Sequence, residues 1–252
     1  MQNLKIIPIS MFKSIWYFVF SSFLLYIGFY VFIPLLLSKD IPFFIAYLIF
    51  HNIPHILLFS TALILYKKEG NVFNISNFKA RIQFKSLNKI DWIWIIVIIL
   101  GWIIASGLLE PIINKIAQIP FFKPPDFFPA EINPNKSSIP GYMFDYKLSG
   151  QYWVIIAYFV LWFFNIFGEE LLFRGILFPR QIEKYGSKTW IYHGIIWGLW
   201  HCYWKWQLIL FIPFTLLFSY AVYKRKNILI GIISHGLLNA FPLLMIIIQV
   251  LN

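Results

Sequence analysis

Charge is scarce in this chain, and acidic charge scarcest of all: 12% of its 252 residues are Asp, Glu, Lys or Arg, ten of them acidic against 21 basic. A soluble domain carries about a quarter charged residues, so this chain lacks the polar surface to coat itself in water. Cysteine is nearly absent. Cys202 stands alone, which excludes an internal disulfide and any multi-cysteine metal site. Short alternating runs of about ten residues are missing too, and with them the pattern of a membrane β-barrel. No internal repeat is visible, so the inverted-repeat signature of many transporters is not evident.

What the chain has is apolar length. Hydrophobic residues make up 60% of it, and mean hydropathy is +0.73. Runs longer than about 18 apolar residues read as membrane helices, in which the backbone satisfies its own hydrogen bonds. The fold class expected is therefore all-α: a polytopic membrane helix bundle of about seven to eight transmembrane helices, forming one integral-membrane domain over 1–252. Spans are placed near 15–37, 43–66, 92–113, 151–177, 189–203, 206–223 and 228–251, the fifth short for a full crossing. Trp16, Trp92, Trp94, Trp153, Trp190, Trp204 and Trp206 fall near span ends, as an aromatic belt requires. The first run is too long for a signal-peptide core and is expected to be retained.

The net charge of +11 does not call for nucleic acid, because the basic residues cluster between apolar runs. Of the 21, 15 fall on one side when the spans are threaded, including Lys67, Lys68, Lys79, Arg81, Arg174, Arg180, Lys224 and Arg225. The positive-inside rule makes that side cytoplasmic, with the N-terminus inside and, for seven spans, the C-terminus outside. A cell-membrane protein is expected. The one long break, 114–150, holds Pro120, Pro124, Pro125, Pro129, Pro134 and Pro140 and reads as an outward connector, with a lid as the sharper alternative.

Ionisable residues inside spans are costly, about 3 kcal/mol for a charge at mid-depth. The fourth span ends in Gly168-Glu169-Glu170-Leu171-Leu172-Phe173-Arg174. Glu170 and Arg174 lie i,i+4 on one face and can pair. Glu169 points about 100° away, leaving it unmatched by that arginine and suited to take a proton from water. His193, Trp197 and His201 share one face of the fifth span, and His235 and Asn239 one face of the seventh. His193 fits an interior hydrogen-bonder, Cys202 packing, and His235 with Asn239 either helix–helix glue or a pair of donors for an oxyanion. At 1.5 Å per residue, Glu169, His201 and His235 lie about 12–19 Å below the cytoplasmic surface, which favours one shared site opening toward that side. His51 and His55 bracket Pro54 without the Glu of a His-Glu-x-x-His zinc motif and read as structural or pathway-lining.

Glu-Glu-x-x-x-Arg at 169–174, aromatic-x-x-x-His at 197–201 and His-x-x-x-Asn at 235–239, in that order on successive apolar segments, resemble the CAAX-prenyl-protease and bacteriocin-processing family. These are intramembrane endopeptidases, also called Abi or type II CAAX proteases. The resemblance covers the motifs in 151–252, with one departure: Trp197 stands where the family usually has Phe. It implies that Glu169 and His201 activate a water, that His235 and Asn239 stabilise the oxyanion, and that Glu170 and Arg174 hold the site together. It implies a membrane-associated or lipidated peptide or protein as substrate and no nucleic-acid partner. Zinc on Glu169, His201 and His235 is chemically admissible, but the water mechanism requires no cofactor. Two other readings remain at this point: a non-catalytic immunity or scaffold protein of the same fold, and a small proton-coupled transporter.

Overall fold

The structure, a computed structural model, describes residues 4–251. Helix α1 (Met11–Ile27) begins at Ser10, whose side chain accepts from the Lys13 N–H, and runs through a π-helical turn (Gly28–Phe32) into α2 (Ile33–Leu37). Then come α3 (Phe43–Lys68), the short α4 (Ile75–Arg81) and α5 (Lys89–Ile116), the last started by a capping box between Asn88 and Asp91. A two-stranded hairpin, β1 (Tyr142–Met143) and β2 (Tyr146–Lys147), lies in the connector. Helix α6 (Trp153–Glu169) passes into a π-helical stretch (Glu170–Leu177) and α7 (Phe178–Tyr185). Next are α8 (Thr189–Trp200), a 3₁₀ segment (Cys202–Gln207), α9 (Leu208–Arg225), α10 (Ile228–Leu238) and α11 (Ala240–Leu251).

The protein is thus an all-α, multi-pass membrane bundle. Among the described residues, six helical units are long and apolar enough to cross a membrane. One of them, Trp153–Trp200, spans 48 residues and contains both the fourth and the fifth segments read from the sequence. It bends at Gly186, whose φ of 69° suits a residue without a Cβ. The last unit, Ile228–Leu251, is interrupted at Asn239, the C-cap of α10. Large apolar side chains such as Leu108 and Ile156 are exposed, as a lipid-facing surface requires.

The proline-rich connector is not a loose loop. Phe128 and Leu148 within it are fully buried. Phe128 packs edge-on against Phe29 and Phe43, and Phe144 stacks on Tyr47 at 4.4 Å, so the segment caps one end of the bundle. Trp206, expected in an interfacial belt, is buried beneath that cap against Phe128. Cys202, read as a packing residue, is exposed, with its sulfur 3.4 Å from the Ser22 hydroxyl.

The opposite end carries the basic segments, yet two of those arginines face inward. Glu69, just past α3, accepts from Arg81 Nε and from Arg180 Nε, both at 2.7 Å. Arg81 Nη1 also donates to the Gly175 carbonyl at 3.0 Å, which ties α4 to the π-helical stretch. All three side chains are buried. Removing Glu69 would leave two buried guanidinium groups without a counter-charge. Glu69→Leu should cost about 3–5 kcal/mol, read as a lower unfolding midpoint in detergent, while Lys67→Leu on the solvated face should stay within about 0.5 kcal/mol.

Candidate functional site

Two carboxylates leave α6 one after the other, and the bundle treats them differently. Glu170 pairs with Arg174 Nη1, as the spacing predicts, and also accepts from His235 Nδ1 at 2.9 Å. The guanidinium carbon of Arg174 lies over the rings of Trp197 and Phe218, 3.6 and 4.4 Å from their centres. Glu170 and Arg174 therefore form a buried brace with His235 attached to it. Gly231 on α10 makes room: a Cβ there would collide with Glu170 Oε2.

Glu169 is not the isolated carboxylate that the sequence suggests. Its Oε2 accepts from the Trp197 indole N–H at 2.9 Å. Its Oε1 accepts from Asn165 Nδ2 at 3.3 Å and faces His55 Nε2 at 3.4 Å. A carboxylate has about four acceptor positions, so the two donors, Trp197 and Asn165, leave room for a water. The arrangement holds an ionised Glu169 and orients it.

The imidazoles are fixed through Nδ1. His201 Nδ1 lies 3.0 Å from the Trp197 carbonyl, and a carbonyl only accepts, so Nδ1 carries the proton and Nε2 is the free nitrogen. His235 spends its Nδ1–H on Glu170. Asn239 gives one amide hydrogen to the His235 carbonyl at 3.1 Å and keeps the other.

Glu169, Trp197, His201, His235 and Asn239 line one cavity of about 190 Å³. Its other walls are mostly aromatic, with Tyr47, Trp102, Tyr158 and Phe211 among them. Glu170 and Arg174 are outside the lining and support it. His193 is elsewhere, bonded to Gln181 Oε1 at 2.8 Å, the interior role expected of it. The sequence reading undervalued three residues. His51 and Asn165 line the cavity, and His55 reaches Glu169. For Asn165 the signal was present, since it stands one turn before Glu169 on the same face.

The lining extends from Glu169 toward the capped end. Tyr47 and Tyr158 sit in the second turns of α3 and α6 at that end, and Gln207 just precedes α9. Toward the basic end, Arg174, Trp197 and Phe218 fill the space and are buried. The expected opening toward the basic, cytoplasmic side is not the direction this lining takes. As for zinc, among the described residues no three His, Cys, Asp or Glu side chains come together in a set able to hold a metal ion.

Residues 151–241 match the family model described as Type II CAAX prenyl endopeptidase Rce1-like. The match agrees with the family resembled by the three motifs and contains all of them, from Glu169 to Asn239. Helices α1 to α5 and nearly all of α11 lie outside it. No curated protein and no solved structure matches the chain.

The brace gives a direct test. Gly231→Ala should displace Glu170 and lower stability by about 1–3 kcal/mol in thermal unfolding. Gly107→Ala, where a Cβ meets open space, should be neutral or stabilise by up to about 1 kcal/mol.

Proposed function

We propose that this chain is an intramembrane endopeptidase that hydrolyses a peptide bond of a membrane-associated peptide or protein with a water activated by Glu169 and His201. The observation that carries the reading is the convergence of Glu169, His201, His235 and Asn239 on one cavity, each side chain fixed by a hydrogen bond. A water on the open position of Glu169 gives up a proton to the carboxylate–imidazole pair as its oxygen attacks the scissile carbonyl. The tetrahedral oxyanion takes hydrogen bonds from His235 Nε2–H and the free Asn239 amide hydrogen. Collapse breaks the C–N bond, and the proton held by the base passes to the leaving amine.

Charge pairing supports these roles. Glu170 and Arg174 form a buried ion pair, the inexpensive way to hold charge in a bilayer. The Nδ1 contact of His235 with Glu170 leaves Nε2 for the cavity, and donating from both nitrogens His235 serves the oxyanion as an imidazolium. No cofactor is required.

With the basic end cytoplasmic, the protein sits in the cell membrane with its N-terminus inside. The cavity then lies toward the other half of the bilayer, and the substrate reaches it there. The aromatic walls suit an apolar segment or a lipid-bearing peptide.

Purified full-length protein in liposomes, given a panel of unmodified and lipidated membrane peptides, should produce fragments detectable by mass spectrometry. Glu169→Gln should lower the rate by roughly 10²–10⁴-fold. Cleavage that survives this change would overturn the role of Glu169, and no cleavage by the unaltered protein would overturn the reading in favour of a scaffold. Trp197→Phe restores the aromatic usual in the family but deletes the indole donor to Glu169. It should fold normally and turn over roughly tenfold more slowly.

A further inference from the structure

The matched segment, 151–241, contains every residue placed above in the reaction. The structure brings a further pair, His51 and His55, against it from α3. Both are buried, with relative exposures of 4% and 0%. Their rings stack with centres 4.6 Å apart. His55 Nδ1 lies 2.6 Å from the His51 carbonyl, which must accept, so this bond fixes the ring plane and turns Nε2 the other way. Nε2 then sits 3.4 Å from Glu169 Oε1 and 3.1 Å from Asn165 Nδ2. Asn165 Nδ2 also reaches His51 Nε2 at 3.3 Å.

Backbone packing delivers this contact. A Cβ on Gly168 would stand 2.5 Å from the His55 carbonyl oxygen, so only glycine lets α6 approach α3 so closely. The residue after that glycine is Glu169. The two oxygens of Glu169 are consequently held from opposite sides, Oε2 by the Trp197 N–H of α8 and Oε1 by the Asn165 amide, which the His55 Nε2 lone pair steadies from α3. A carboxylate gripped at both oxygens by different helices cannot rotate about its terminal bond. One gripped only by Trp197 can.

We infer that His55 is a positioning residue for Glu169, acting through the Asn165 amide, so that the working site includes α3 as well as the matched segment. The inference rests on the peptidase reading for its consequence in catalysis, and on geometry alone for the hold on Glu169.

The test separates the two. Full-length protein carrying carbon-13 glutamate is placed in liposomes, and the infrared spectrum of Glu169→Gln is subtracted to isolate the Glu169 carboxylate band. His55→Phe keeps an aromatic ring but no nitrogen, and should shift or broaden that band at constant pH. His193→Phe, which removes a buried histidine with a different partner, should leave it in place. His55→Gln, which retains an acceptor for the Asn165 amide, should bring it back toward its original position. Should His55→Phe fail to fold, His55→Asn, too short to reach that amide, makes the same comparison. With a cleaved peptide in hand, His55→Phe should lower kcat by roughly 10- to 100-fold with KM little changed, and His55→Gln should recover part of the loss. A Glu169 band unmoved in a folded His55→Phe or His55→Asn protein overturns the inference. If the unaltered protein cleaves nothing, the peptidase reading falls, and the infrared comparison still decides whether His55 holds Glu169.

Discussion

Two neighbouring carboxylates inside an apolar bundle can both remain ionised only if each has its own set of opposing charges or donors. The rest of this structure is arranged around that constraint. Glu170 has Arg174 and His235, while Glu169 has Trp197 and Asn165, the latter steadied by His55. The partners come from α3, from α8, from α10 and from the helix that carries the pair, so satisfying two side chains fixes the relative placement of four helical elements. Helix packing and the chemistry of the cavity are the same set of contacts seen from two directions.

The same economy operates at the basic end. Glu69 is a single acid between Arg81 and Arg180, and through Arg81 it also reaches the carbonyl of Gly175. Of the basic residues that set the charge bias, these two and Arg174 are committed to buried pairing, and Arg225 pairs with Asp91. Lysines such as Lys67 and Lys68 stay at the surface. A count of charges along the chain cannot distinguish the two kinds, because burial depends on where α4 folds back.

Much of the site was legible from spacing. Helical periodicity alone put Glu170 with Arg174 and placed His235 and Asn239 on one face, and the family motif order supplied roles. What escaped had a tertiary origin. Nothing in the order of residues shows that Gly168 meets the carbonyl of His55, so the pair on α3 looked detached from the reaction. Trp197 was read as a bulkier stand-in for Phe, although its indole N–H is what touches Glu169. The course of the cavity along the bundle is hidden for a similar reason. Depth along each helix locates a residue but not which end of the bundle is filled by side chains, and here Arg174, Trp197 and Phe218 fill the basic end.

The π-helical stretch at Glu170–Leu177 has a hereditary consequence. A π turn is an α-helix that has absorbed about one extra residue, so loss of a single codon there would return the chain to ordinary α geometry. The helix beyond the gap would keep its phase, so Arg180 would stay with Glu69. Glu169 would keep its neighbours, while the contacts made inside the stretch, the Glu170–Arg174 pair among them, would be redrawn. Point substitutions can sample this stretch one contact at a time. An in-frame deletion of three bases would instead reset the brace at Glu170 as a whole and leave the anchor at Glu69 in place.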